Sequence, residues 1–469
     1  MSRSATSAAN ILRGELAGVI DPSRIEHDPA IVAAHSADQA TWLLPGTAEV
    51  LVRARSQADV AAVLRVCQRL GTPVVPRGAG SGLSGGANAV DGCVVLDVSA
   101  MNAIVDIDEN ERLAVVEPGV LNGDLNGRVG EVGLWYPPDP ASRDFSSIGG
   151  NIATNAGGLC CVKYGVTRDW LASLEVTLAS GDVITTGTRT RKNVAGYDLT
   201  SLLSGSEGTL GVVTAATLRL RRPAASASTL VAFFPTLIAA GEAITAIMAG
   251  RTPSLLELVD GPTLRAIDDW RHMDLDREAA ALLIMQTDDE TLSVRDGHLA
   301  AASNACTAAG ADWMHTTHDT DEAELLLEAR RLAFPAVERL GSTLLDDVGV
   351  PLGQLAAYLD DVGKIAARYQ VPIFTFGHAG DGNLHPTIVA DPADADARKH
   401  AFLAFDALLD AALRRGGTVT GEHGVGLLKL RHAARQLGPA SLDLHRAIKN
   451  AFDPSNILNP GKLLQELHS

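Results

Sequence analysis

The sequence predicts an α+β fold: a glycine-rich domain of strands and helices, followed by a unit whose antiparallel sheet is covered by helices. Three observations carry this expectation. Strand-like and helix-like apolar periods alternate along the chain. Glycines, 45 in 469 residues, cluster in the first half. After "LGVVTAATLRLRRP" the glycine density falls while strand and helix signals continue to mix, which marks Pro223 as a domain boundary.

Taken in order, "MSRSATSAANILRGELAG" reads as a polar start to a helix and lacks the apolar core of a signal peptide. "EVLVRA" is a strand, and "SQADVAAVLRVCQRLG" is a helix begun by Ser56 and stopped by Gly71. "TPVVP", "GCVVLDVS" and "RLAVVEPG" follow as strands, and "VLNGDLNGRVGEVG" as a weaker helix. "LASLEVTLASGDVITTG" predicts a hairpin turning at Ser180-Gly181-Asp182. Beyond Pro223 come the strands "STLVAFFP", "SLLELVD" and "AALLIMQT" and the helix "LIAAGEAITAIMAG". "RKHAFLAFDALLDAALRRGG" is an amphipathic helix with Phe402, Phe405, Leu409 and Leu413 on or near one face, and "AIKNAFDPSNILNPGKLL" reads as turn-rich.

Composition removes several classes. A formal charge of −17 opposes nucleic-acid binding, which needs clustered Lys and Arg. No apolar run reaches the ~18 residues of a membrane span. The five cysteines form no CxxC, so neither an iron–sulfur nor a Cys-type zinc site is expected from this chain alone, and the unpatterned set fits reduced thiols in a cytoplasm.

"PRGAGSGLSGG" (76–86) contains a literal GxGxxG, but the glycines run into the strand "ANAVDGCVVLDVS" and leave no room for the helix of a dinucleotide fingerprint. Its convergent backbone N–H groups and Arg77 suit a phosphate nest; a flexible glycine loop is the alternative. "PPDPASRDFSSIGGNIATNAGG" (137–158) and "RKNVAGYDLTSLLSGSEGTLGVVT" (191–214) add two more stretches of small residues, against which a flat, extended ligand can lie.

These three loops resemble the FAD-binding domain of the vanillyl-alcohol oxidase superfamily, and "GHAGDGNLH", "GEHGVG" and "LNPGK" resemble its FAD-linked D-2-hydroxyacid dehydrogenase branch. That branch holds D-lactate dehydrogenases, the flavin subunit of glycolate oxidase and D-2-hydroxyglutarate dehydrogenase. The resemblance spans residues ~40–465 and implies a two-subdomain FAD-binding domain over 1–222, a substrate or cap domain over 223–415, and a segment 416–469 returning to the flavin domain. It implies that Pro76, Arg77, Gly78, Ala79, Gly80, Ser81, Gly82 and Leu83 wrap the FAD pyrophosphate. Pro138, Asp139, Ser142, Gly149, Gly150, Thr154, Asn155 and Gly158 would line flavin and adenosine. Glu207, Gly208 and Val213 would lie beyond them, with Asn459 and Lys462 returning from the tail. Relatives with covalent flavin carry a His where this chain has Ser81, so non-covalent FAD is expected.

In "FGHAGDGNLHP" an Asp-Gly turn centred on Asp381-Gly382 predicts the facing pairs Gly380/Asn383, Ala379/Leu384 and His378/His385. Imidazoles opposed at about 4.5–5.5 Å between Cβ atoms can share an ion; two polar side chains on a hairpin are the plainer possibility. "TVTGEHGVG" adds Glu422, making with His378 and His385 a two-His, one-carboxylate set for zinc, manganese or iron, and it leaves His423 beside the metal. The resemblance implies the same ligands, with His423 as catalytic base. The histidines His27, His35, His272, His298 and His432 are expected at the surface.

Arg330 aligns with the family arginine that binds the substrate carboxylate; a surface ion pair, with Glu328 for example, is the alternative. Where the 2-hydroxyglutarate branch carries a Lys, this chain has Leu345, and Phe334 replaces a small polar residue, which favours a monocarboxylate. The expected activity is oxidation of glycolate or D-lactate to the 2-oxoacid. Electrons would pass to a quinone, a carrier protein, an iron–sulfur partner subunit or oxygen. A homodimer, with peripheral membrane association also open, is expected. A metal-dependent hydrolase with nucleotide-binding glycine loops, a non-catalytic flavoprotein and a D-2-hydroxyglutarate dehydrogenase are the alternatives.

Overall fold

The computed structural model describes residues 3–224 and 226–464. The chain divides into two compact units: Met1–Ala156, Val166–Arg222 and Glu422–Ser469 form one, and Gly157–Gly165 with Pro223–Gly421 the other.

The first unit holds two sheets. In the four-stranded one, Val50–Arg53 and Val74–Arg77 flank Val94–Asp97 in parallel, and Ile25–Glu26 is antiparallel at the edge. The helix Gln57–Leu70 forms between the first two parallel strands because Ser56 caps it, accepting the Asp59 N–H, and Gly71 closes it in the left-handed conformation. It buries Val60, Val63, Leu64 and Cys67 in a core with Leu12, Leu16, Val50 and Val94. The five-stranded sheet runs Ile104–Asp108, Leu113–Val116, Val212–Arg219, Leu171–Thr177 and Val183–Gly187, all antiparallel, with the expected turn at Gly181. Between Arg77 and Val94 there is no helix among the described residues, as the glycine loop requires. The tail differs from expectation: "AIKNAF" completes the helix Pro439–Phe452, and only then does the chain turn. Its periodicity continues from residues 439–446, outside the stretch read as turns.

The second unit is an antiparallel sheet ordered Trp313–Thr317, Ser228–Phe234, Ala281–Thr287, Leu255–Asp260, Ile373–His378, Asn383–Val389 and Thr343–Leu345, with Val348–Gly349 also on Asn383–Val389. The helix Ala395–Arg414 buries Phe405 and Leu409, while Phe402 and Leu413 stay half-buried at its flank. Two histidines expected at the surface are buried. His298 faces the sheet from the helix Leu292–Ala308, where Thr287 and the Arg251 carbonyl satisfy its two nitrogens at 2.9 Å each. His432 is buried on the helix Leu430–Leu437 of the first unit. A polar ring goes inside when partners wait for it. No described helix is long and apolar enough to cross a membrane.

Candidate functional site

In the first unit the glycine clusters meet one another. The loop after Val74–Arg77 passes so close to the second cluster that a Cβ on Gly78 would overlap Ser147 Oγ. Ser147 is the cap of the helix Ile148–Thr154, which carries Gly149 and Gly150 and ends at Asn155, left-handed, whose Oδ1 accepts the Arg168 N–H at 2.9 Å. Pro138 is buried, with its carbonyl bonded to Asn122 Nδ2; Asp139 and Ser142 lie half-buried in the same loop. Gly158 falls in the 157–165 segment of the other unit, and Val213 lies on the strand Val212–Arg219.

Arg77 does not point out of its loop. Its guanidinium lies beneath Gly80 and donates to the Ala37 carbonyl at 2.7 Å, and burial lowers its pKa against the pull of Asp97 and Asp38. Above it, the backbone N–H groups of Gly78, Ala79, Gly80, Ser81, Gly82 and Leu83 find no acceptor among the described residues. Half-buried or exposed and flanked by small side chains, they fit the phosphates of FAD.

The tail clamps this loop from behind. Asn459 Nδ2 donates to the Gly86 and Glu207 carbonyls at 2.9 and 2.7 Å, and Lys462 Nζ to the Asn88 carbonyl at 2.6 Å. Glu207 itself, left-handed at φ 51°, accepts the N–H groups of Val425 and Gly426 at 2.7 and 2.8 Å. Its carboxylate therefore holds the chain that follows His423, a task its place in "GSEG" does not announce. Burial pushes its pKa up to about 6, and burial lowers that of Lys462 to about 8. Gly208 sits behind Pro76. His423 Nε2 lies 3.7 Å from Glu422 Oε1, at the start of this unit's last segment.

In the second unit one sheet face gathers the other predicted residues. The hairpin register differs from expectation: His378 pairs with Asn383 and Phe376 with His385, so the two histidines are diagonal and not opposed. Asn383 and Leu384 are claimed on their far side by Gly349 and Val348, and the Asn383 side chain donates to Asp347 at 2.7 Å. They belong to the sheet, so the reversal takes four residues: a 3-10 turn Ala379–Asp381 and then Gly382 at φ 70°. Period-2 alternation still places both imidazoles on one face. Their ring centroids are 5.3 Å apart at 84°. Two histidines on one tetrahedral ion, with metal–nitrogen distances of about 2.0–2.1 Å, have ring centroids roughly 5 Å apart, so the pair fits a shared metal.

The next strand supplies a residue that sequence reasoning missed. Leu258 pairs with Gly377 and Val259 with Phe376, which sets Glu257 opposite His378. Glu257 is fully buried; its Oε1 accepts from His378 Nδ1 at 2.8 Å and its Oε2 from Arg330 Nε at 2.6 Å. A single carboxylate inside the apolar run "LLELV" is the signal that marks it. Arg330 is thus neither exposed nor paired with Glu328. Its guanidinium lies over the Phe376 ring at 5.2 Å, and its Nη groups have no acceptor among the described residues. Phe376, Phe334 and Leu345 share one apolar cluster. Asp347, also buried, accepts from Thr420 Oγ1 and the Gly421 N–H at 2.7 and 2.9 Å, which fixes the residue immediately before Glu422 in the chain.

Comparison with known proteins agrees with this layout. Residues 48–187 match the FAD binding domain family and residues 223–463 the C-terminal domain of FAD linked oxidases. The glycolate oxidase subunit GlcD of Bacillus subtilis is 42% identical over 88% of this chain and 88% of its own length. A D-lactate dehydrogenase of Archaeoglobus fulgidus is 32% identical over 95% and 96%. Among solved structures, p-cresol methylhydroxylase with substrate bound covers 99% of this chain and 98% of its own at TM-score 0.83 and 17% identity. A 4-ethylphenol oxidase from Gulosibacter chungangensis covers the same shares at TM-score 0.81 and 20% identity. The fold is therefore of the vanillyl-alcohol oxidase type.

Proposed function

The chain belongs to the FAD-linked oxidases, and from that premise we propose that it oxidises a small D-2-hydroxyacid, glycolate or D-lactate, to the 2-oxoacid. The observation that carries the substrate class is Arg330: a buried arginine with its Nε held by Glu257 offers the rest of its fork to a carboxylate. The surroundings favour one carboxylate. Leu345, where a cation would grip a second, is buried in the apolar cluster with Phe334 and Phe376.

Non-covalent FAD, held at the 76–86 loop, supplies the hydride acceptor. His378, His385 and Glu422 would hold a divalent metal, zinc or manganese, and when bound it would lower the pKa of the substrate hydroxyl. Arg330 orients the acid by its carboxylate, and an imidazole nitrogen of His423 takes the hydroxyl proton as general base. The electron acceptor is a quinone, a carrier protein, a partner subunit or oxygen.

His423→Ala tests the proton transfer. The variant should retain flavin and metal, yet its flavin should be reduced by D-lactate or glycolate at least 100-fold more slowly in anaerobic stopped flow. A rate near that of the unaltered protein removes His423 from the reaction. Treatment with a chelator should abolish turnover in the unaltered protein, and undiminished activity would make the metal structural.

A further inference from the structure

We propose that Glu257 is a positioning residue that prepares both halves of the substrate site at once, setting the tautomer of His378 and the aim of Arg330. The proposal rests on the reading of Arg330 and His378 as substrate and metal residues, but its structural content stands without either ligand. Glu257 is on the central strand Leu255–Asp260, its backbone locked between two antiparallel neighbours. It is one of the few charged groups in the unit with no exposure at all. Each of its oxygens takes one donor: Oε1 faces His378 Nδ1 at 2.8 Å, and Oε2 faces Arg330 Nε at 2.6 Å.

The consequences follow from donor and acceptor counts. An ionised carboxylate offers only acceptors, so the His378 nitrogen facing it must carry a proton. The neutral ring then has its lone pair on Nε2, the tautomer that a metal requires; a carboxylate behind a ligating histidine has this effect generally. On the other side the carboxylate consumes Arg330 Nε alone. The guanidinium carbon lies over Phe376, 5.2 Å from the ring centroid, and its two Nη groups remain for a planar acid. An uncompensated arginine at this depth would be costly, so the same ion pair also permits the cation to be there. One carboxylate thus ties the carboxylate-binding residue to the metal-binding one, and they lie 48 positions apart in the sequence.

The test uses the full-length, chelator-treated protein labelled with ¹⁵N-histidine. Long-range proton–nitrogen spectra report the tautomer of His378, whose signal is identified by its loss in His378→Gln. The unaltered protein should show His378 protonated at Nδ1. Glu257→Gln, which keeps the shape but offers one acceptor oxygen for two donors, should lose that preference. It should also bind zinc 10- to 100-fold more weakly in competition with a chromophoric chelator, and raise KM for D-lactate or glycolate at least 10-fold, more than it lowers kcat. Should Glu257→Gln fail to fold with Arg330 unpaired, Glu257→Leu with Arg330→Met removes the stranded charge and every acceptor facing His378 Nδ1 from this position, and the tautomer reading still applies. An Nε2-protonated His378 in the unaltered protein, or an unchanged tautomer in both variants, overturns the proposal. Because the tautomer is read without substrate, an enzyme inert to both hydroxyacids would sink the proposed reaction and leave this inference standing.

Discussion

Glu207 holds its carboxylate inside the first unit, bonded to the N–H groups of Val425 and Gly426, and burial there pushes its pKa from 4.5 up to about 6. The sign follows directly. The fold favours the protonated acid, so Glu207's contribution to stability is full below pH 4.5 and is lost as pH rises through about 6. The loss is about 2 kcal/mol. Urea midpoints at pH 4.5 and pH 7 should therefore fall further for the unaltered protein than for Glu207→Gln; parallel curves would remove Glu207 from the pH response. At this scale the sequence was only partly legible. Arg330, His378 and His385 stand out by residue type and motif. Glu257 does not, because its partners are 73 and 121 residues away, and no local pattern links a strand to both. His298 misled for the same reason: polarity suggests surface until its partners Thr287 and the Arg251 carbonyl are known.

The hairpin around Gly382 shows how neighbours override a local signal. Asp-Gly predicts a two-residue turn, but Asn383 and Leu384 pair with Gly349 and Val348 on one side and with His378 and Gly377 on the other. Two ladders outweigh one turn preference, and the reversal lengthens to four residues. The sequence could therefore announce the hairpin and its two histidines, though not their register. Gly382 is needed in the turn that results, since φ is 70° and a Cβ would overlap the Val350 carbonyl oxygen. Gly382→Ala should cost about 1–3 kcal/mol of stability. It should also lower the metal retained per chain, by moving His378 against His385. Thermal melts with metal analysis check both, and an unchanged melting point with full metal content would show that the turn tolerates a side chain. The helix Gln57–Leu70 is the opposite case. Ser56 and Gly71 end it through contacts within the segment, so its bounds could be read from sequence alone.

For the whole molecule, the legible features were those that repeat: three glycine clusters, a change of texture at Pro223, and motifs in a family's order. What the sequence hid is the excursion of residues 157–165. The first unit is assembled from three segments and the second from two, with residues 157–165 clustering with the second although they lie within the first half of the sequence. Lys163 and Tyr164 show why, since both side chains bond to Asp288. The tail illustrates the same economy, as Asn459 and Lys462 close on the glycine loop more than 370 residues upstream. These long-range closures bring the glycine-rich loops together in one unit, while the face bearing Glu257, Arg330, His378 and His385 forms in the other. On the proposed function this chain passes a hydride from a small hydroxyacid to its flavin. The most direct measurement is the flavin absorbance of the purified protein under anaerobic conditions, on addition of glycolate, D-lactate, L-lactate and D-2-hydroxyglutarate. Glycolate or D-lactate should bleach it, with L-lactate and D-2-hydroxyglutarate at least 10-fold slower. A yellow protein that none of the four bleaches, or that D-2-hydroxyglutarate bleaches fastest, would contradict the proposed function.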